Sequence, residues 1–218
     1  MTWKRLVRRP WRAPTRPEPA APTPDVPCVN FRDVGRTVNE LAGRPLLPEG
    51  RFLRGGRLDR VVAPEEIGAP GTILNLRLGD DPPARRFGAD YRQVPVASGV
   101  DRYDAGCREV RRWLNAVLVC IADDVTRFPL FVHCTSGKDR TGMVVATTLL
   151  ALGIPRAVIL AEYRRSAGAL EPAALERALD VIEGRAGYLR RVDRDALRAK
   201  LGGPLAVAPP LRRTASRP

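Results

Sequence analysis

Residues 131–142 read FVHCTSGKDRTG, and this stretch decides the fold. Residues 129–134 (PLFVHC) form a compact apolar run of strand type, and 142–152 is apolar nearly all round, which predicts a central buried helix. A strand, a loop containing Gly137 and then a helix make the connection expected of an α/β domain. Such a loop turns backbone N–H groups toward one point at the helix N-terminus, an anion site suited to phosphate. Arg140, six residues after Cys134, adds a planar fork of donors that can grip two phosphate oxygens. The same positive field favours the thiolate of Cys134, and a thiolate facing a held phosphate begins covalent phosphoryl transfer.

Working outward, residues 72–78 (TILNLRL) and 91–96 (YRQVPV) are short apolar or alternating runs of strand type. Residues 105–123 carry Val110, Leu114, Val117, Leu118 and Ile121 at helical spacing. Arg108, Arg111, Arg112 and Asn115 fill the opposite face. Residues 155–165, 172–182 and 193–201 read as further helices, with Pro155 and Pro172 at first-turn positions. Strands alternating with helices predict an α/β domain with a mostly parallel central sheet flanked by helices, over residues 28–201. Before it, residues 1–27 hold seven of the 21 prolines, which forbids regular structure and predicts a disordered basic arm. Residues 202–218 read as a second disordered basic tail.

The chain has 218 residues and a net charge of +13, most of it at the ends. Residues 1–27 carry +4, residues 184–218 carry +7, and the remainder only +2. No specific nucleic-acid binding is expected from this pattern. The arm, with Arg5, Arg8, Arg9 and Arg12 around Trp3 and Trp11, could touch an anionic membrane surface. No uncharged run is long enough to span a membrane, and no secretory signal is expected. Four dispersed cysteines and one histidine disfavour a zinc site and a disulfide scaffold, and fit a cytoplasmic protein with no metal and no cofactor.

The run His133-Cys134-Thr135-Ser136-Gly137-Lys138-Asp139-Arg140-Thr141-Gly142 resembles the signature loop of the tyrosine and dual-specificity phosphatases. The Lys138–Asp139 pair narrows the resemblance to bacterial atypical members that accept phosphotyrosine and phosphoinositides. Asn30-Phe31-Arg32-Asp33, Arg54-Gly55-Gly56 and residues 159–166 (ILAEYRRS) also resemble that family, with Gly55 where serine is usual. The resemblance covers about residues 28–170. It implies a protein-tyrosine-phosphatase-like fold, phosphorylated protein or phosphoinositide substrates, and a cysteinyl phosphate formed on Cys134 without metal. It implies phosphate binding by residues 135–140: Thr135, Ser136, Gly137, Lys138, Asp139 and Arg140. Arg140 would stabilise the transition state, Thr141 would assist the departing thiolate, and His133 would orient the loop.

One departure matters. Asn75 stands where the family usually carries aspartate, and an amide cannot give up a proton. The general acid is then Asp139, which myotubularin-like lipid phosphatases resemble in carrying aspartate there, or else Asp101 or Asp104. Asp139 could instead cap the following helix. Arg32 and Asp33 read as a polar network behind the loop. A phosphate-binding pseudophosphatase is the alternative function. A nucleotide P-loop is excluded, since Val132 stands where its first glycine would be, and a rhodanese-like loop fits Arg140-Thr141-Gly142 poorly. Cys28, Cys107 and Cys120 default to packing, and no redox partner of Cys134 is indicated.

Overall fold

The computed structural model describes residues 27–202. The arm and tail expected from composition lie outside the described residues, apart from their inner ends. Within them run β1 (Arg32–Asp33), α1 (Val34–Ala42), β2 (Phe52–Gly55), β3 (Thr72–Asn75), β4 (Asp90–Gln93), α2 (Arg108–Ala122), β5 (Leu130–His133), α3 (Asp139–Ala151), α4 (Arg156–Arg164), α5 (Pro172–Gly184) and α6 (Arg194–Leu201).

The strands form one sheet in the order β1-β2-β5-β3-β4, in which only β1 pairs antiparallel. The expected mostly parallel α/β architecture is the observed one. β5 lies in the middle and is buried along its whole length, which is why it reads as an unbroken apolar run. Its last residue, His133, is level with Gly55 of β2 and Asn75 of β3. The loops that follow these three strands therefore meet at one edge, the carboxyl edge where open α/β sheets bind ligands.

The larger apolar core unites the helices with one face of the sheet. α3 packs against β5, α2, α4 and α5, so it must be apolar all round. Cys28, Leu53, Leu58, Ile67, Ile73 and Phe131 form a smaller cluster, and Ile67 closes a 3₁₀ turn at Pro64–Ile67. No described helix is long and apolar enough to cross a membrane.

Several boundaries differ from the sequence expectation for local reasons. The run 72–78 stops being strand at Asn75, whose Oδ1 accepts the N–H of Arg77 at 2.8 Å and turns the chain. α2 begins at Arg108 rather than near 105, because the Asp104 carboxylate holds the N–H groups of Gly106 and Cys107 in a turn. α3 begins three residues before Gly142, at Asp139. β2 and α1 have no counterpart in the sequence reading. β2 hides a fully buried arginine, and α1 is announced only by its Asp33 cap and by Gly43, left-handed at φ 64°.

Candidate active site

The loop between β5 and α3 is hydrogen-bonded on one side only. The carbonyl of Thr135 accepts the N–H of Arg57 at 3.1 Å, and that of Lys138 accepts the N–H of Gly142 at 2.7 Å. The carbonyl of Ser136 accepts Asn30 Nδ2 at 2.8 Å, and that of Gly137 accepts Arg54 Nη2 at 2.7 Å. Among the described residues, no protein acceptor takes the backbone N–H groups of residues 135–140. Carbonyls all tied back, with N–H groups all left over, make a nest for an anion. The α3 dipole adds to it, since the helix starts at Asp139.

Three distant segments build the support behind the loop. Arg54, fully buried, places its guanidinium 2.8 and 3.1 Å from the two carboxylate oxygens of Glu162. The same guanidinium reaches the Gly137 carbonyl, so one ion pair anchors both the loop and α4. Arg32 adds Nε to Glu162 Oε1 at 2.8 Å and Nη2 to Ser166 Oγ at 3.0 Å. Burial and the neighbouring Arg54 charge pull Arg32 down to about 10, against the Glu162 carboxylate that favours its charged form. The polar network expected of Arg32 is present. Asp33 does a different job: it caps α1 through Gly35 and accepts the N–H of Gly50.

Gly137 is the loop's steric requirement. Its φ is +64°, and a Cβ there would lie 2.4 Å from the Gly55 carbonyl carbon. Gly55 in turn has no room for a side chain, since a Cβ would stand 2.6 Å from Cys28 Sγ and 3.0 Å from the Phe131 ring. Glycine at this position therefore accommodates Cys28. Burial pushes the Cys28 thiol up to about 12, so it stays protonated and donates to the Gly56 carbonyl.

Cys134 is buried to 2% exposure at the floor of an open cleft. Ser136, Asp139 and Arg140 line the same cleft, with Val96, Val100 and Arg102 from the segment after β4. Its volume of about 240 Å³ has room for a phosphoryl group and part of its ester. Arg140 is held by Leu76 O at 3.2 Å and Thr135 Oγ1 at 3.1 Å, which aims its fork along the loop.

Among the aspartates of the described residues, only Asp139 lines the cleft. Its Oδ1 accepts the hydroxyl of Tyr103 at 3.1 Å, and its Oδ2 has Lys138 Nζ at 3.7 Å and Arg102 Nη1 at 3.8 Å. It does not cap α3, whose N-terminus has no side-chain cap. Burial raises the Tyr103 phenol well above its usual value, with the Tyr163 hydroxyl at 2.7 Å adding to this, so Tyr103 is a neutral donor. Asp101 and Asp104 point their carboxylates at backbone N–H groups of their own turn. The buried hydroxyl of Thr141 has no hydrogen-bond partner among the described residues.

His133 and Asn75 belong to one buried arrangement beside the floor. His133 Nε2 is 2.9 Å from Asp81 Oδ2, off the line of a well-directed hydrogen bond. Burial of Asp81 opposes its charge, yet His133 and Arg77 outweigh it and hold the carboxyl below the usual range. Asn75 Nδ2 donates to Gly79 O at 2.9 Å and to Tyr91 OH at 2.7 Å. The amide thus shapes the turn that delivers Asp81, work in which a carboxylate could not donate.

A sequence model of the tyrosine phosphatase family matches residues 26–202. The chain belongs to that family. It is similar to the triple specificity protein phosphatase PtpB of Mycobacterium tuberculosis, 38% identical over 87 residues, which is 40% of this chain and 27% of PtpB. The match thus spans about a quarter of PtpB's length. Among solved structures, the core catalytic domain of the PP-IP phosphatase SIW14 from S. cerevisiae is 21% identical with a TM-score of 0.46, covering 62% of this chain and 85% of that one. TpbA of P. aeruginosa is 20% identical with a TM-score of 0.44, covering 69% and 85%.

Of the residues expected from the sequence, the structure brings Cys134, Ser136, Asp139 and Arg140 together in the cleft, while Thr135, Gly137 and Lys138 do not line it. The sequence reading missed Asp81, Tyr103, Arg102 and the Arg54–Glu162 pair. Arg54 and Glu162 stood inside quoted motifs, so a buried pair was legible in principle. Tyr103 carried no such signal, because only the fold brings it to Asp139.

Proposed function

We propose that this chain hydrolyses phosphomonoesters through a cysteinyl phosphate on Cys134, with phosphotyrosine proteins and phosphoinositides as its substrate classes. The observation that carries this reading is the loop's one-sided hydrogen bonding above a buried cysteine. The N–H groups of residues 135–140 and the Arg140 fork bind the three non-bridging phosphate oxygens, and the Cys134 thiolate attacks phosphorus. The ester P–O bond breaks, and Asp139 gives its proton to the leaving oxygen. Water then attacks the cysteinyl phosphate while Asp139 takes a proton from it, and the P–S bond breaks to release phosphate and thiolate. The ring of N–H donors and Arg140 stabilise the charge on the equatorial oxygens in both steps. Thr141, with its unpartnered buried hydroxyl, donates to the departing sulfur.

The cleft supports the substrate classes. It has an apolar wall at Val96 and Val100 for an aromatic ring, and a second cation, Arg102, for a further headgroup phosphate. PtpB is itself described as a triple specificity protein phosphatase. Asn75 gives a pseudophosphatase less support than its residue type suggests, since its amide is committed to the 75–81 turn. Catalysis needs only the domain at 28–201, leaving the basic arm free to meet an anionic membrane surface from the cytosolic side. The test is a panel of phosphopeptides, phosphoinositides and small metabolite phosphates, with Cys134→Ser as control. Turnover of phosphopeptide or phosphoinositide lost in that variant supports the reading, and analogue binding without turnover of any of them supports the pseudophosphatase.

A further inference from the structure

A second cationic cavity, sharing no residue with the cleft, has a volume of about 110 Å³ and is lined by Arg108, Arg111, Arg112, Arg190 and Arg191. Three of these come from the first turns of α2, at spacings that put like charges side by side. The other two come from the segment between α5 and α6. Among the described residues none of the five has a carboxylate within ion-pair distance, and no carboxylate lines the cavity. Glu109 lies nearby and is held below the usual carboxylate range, first by the Cys107 thiol and then by Arg112 and Arg108, but it stands outside the lining.

The two cationic walls are fixed by neutral buried groups. Asn115 Nδ2 donates to Tyr188 O at 2.9 Å and its Oδ1 accepts the N–H of Arg191 at 3.4 Å. Tyr188 donates its hydroxyl to Ala105 O at 2.8 Å, just ahead of α2. The backbone segments that carry the arginines are therefore fixed relative to each other, and no carboxylate enters the cavity lining between them.

We propose that this cavity is a second anion site that takes a compact ligand bearing several phosphate groups, free in solution or carried on a lipid headgroup. One phosphate can engage about two guanidinium forks, so five arginines around so small a volume suit clustered phosphates. A nucleic acid strand is the poorer fit, because the single aromatic in the lining, Tyr188, is buried and offers no stacking face.

The test is titration of the full chain with inositol hexakisphosphate while vanadate saturates the catalytic loop, beside vesicles of phosphatidylcholine with and without phosphatidylinositol bisphosphate. One binding event should survive vanadate in at least one of these arms, and which arm shows it identifies the source of the phosphates. Arg111→Ala/Arg190→Ala/Arg191→Ala should weaken that event at least tenfold and leave aryl phosphate turnover within about twofold. The exposed pair Arg112→Gln/Arg190→Gln should weaken it severalfold, which keeps the test valid should the triple variant fail to fold. Replacing Arg5, Arg8, Arg9 and Arg12 by alanine should leave the hexakisphosphate affinity unchanged. Competition by vanadate, equal binding by both cavity variants, or tighter arginine-dependent binding of a single-stranded oligonucleotide would overturn the proposal.

Discussion

Tyr103 and Asp139, 36 residues apart in sequence, meet at the cleft with the phenol hydroxyl 3.1 Å from the carboxylate. The phenol is itself fixed by Tyr163, whose hydroxyl accepts the N–H of Glu171 at 3.1 Å. Asp139 is thereby held by the loop after β4 as well as by its own helix, an orientation that suits the proton transfer proposed for it.

Asp139→Asn should therefore slow hydrolysis of phosphotyrosine by about 10²–10⁴-fold, the usual contribution of a positioned acid. An activated aryl phosphate, whose leaving group needs no proton, should lose far less. Tyr103→Phe should show the same leaving-group dependence at about tenfold or below, with Asp101→Asn near the parent on both substrates. Equal losses on both substrates for Asp139→Asn would make the residue structural and return the acid role to Asp101.

Gly137→Ala should abolish turnover and cost about 2–5 kcal/mol of stability. The methyl group would meet Gly55 backbone at 2.4–2.5 Å, and β2 is a central-sheet neighbour that cannot move aside. Thermal melts and aryl phosphate rates on the same preparation check both parts.

Arg54→Met should destabilise by about 1.5–3 kcal/mol, because it leaves the buried Glu162 carboxylate with Arg32 as its remaining partner. Arg54→Met/Glu162→Leu should recover much of that stability while turnover stays low, since the Gly137 carbonyl loses its donor in both. Recovery of turnover along with stability would show that the loop keeps its shape without Arg54.

How far these features were legible follows from how local they are. The strand, loop and helix around Cys134 carry their signal within twelve adjacent residues, as do the apolar stripes of α2 and α3. The supporting side chains do not. Arg54, Glu162, Asn30 and Tyr103 act through contacts spanning 36 to more than 100 residues, and their types suit an exposed surface as readily as a buried network. Asn75 read as a lost acid because the residue type was visible while its turn was not.

The Asp81 contact has a pH signature. Its carboxyl titrates lower in the folded protein than in the unfolded chain, so its contribution is full above about pH 4 and is lost as pH falls through the folded value. Asp81→Asn should cost about 1–3 kcal/mol at pH 7. The gap between parent and variant should narrow in denaturant melts as pH drops from 5 toward 2. A gap that widens on acidification would contradict the assignment.

Rapid mixing with an aryl phosphate, acid quench and mass mapping tests the central claim most directly. Phosphate should appear on the peptide containing Cys134 within the first turnover. It should be absent in Cys134→Ser, whose turnover should fall to below about one part in a thousand while vanadate-analogue binding persists. Steady turnover with no phosphorylated Cys134, or residual activity of a few per cent in Cys134→Ser, would place the nucleophile elsewhere.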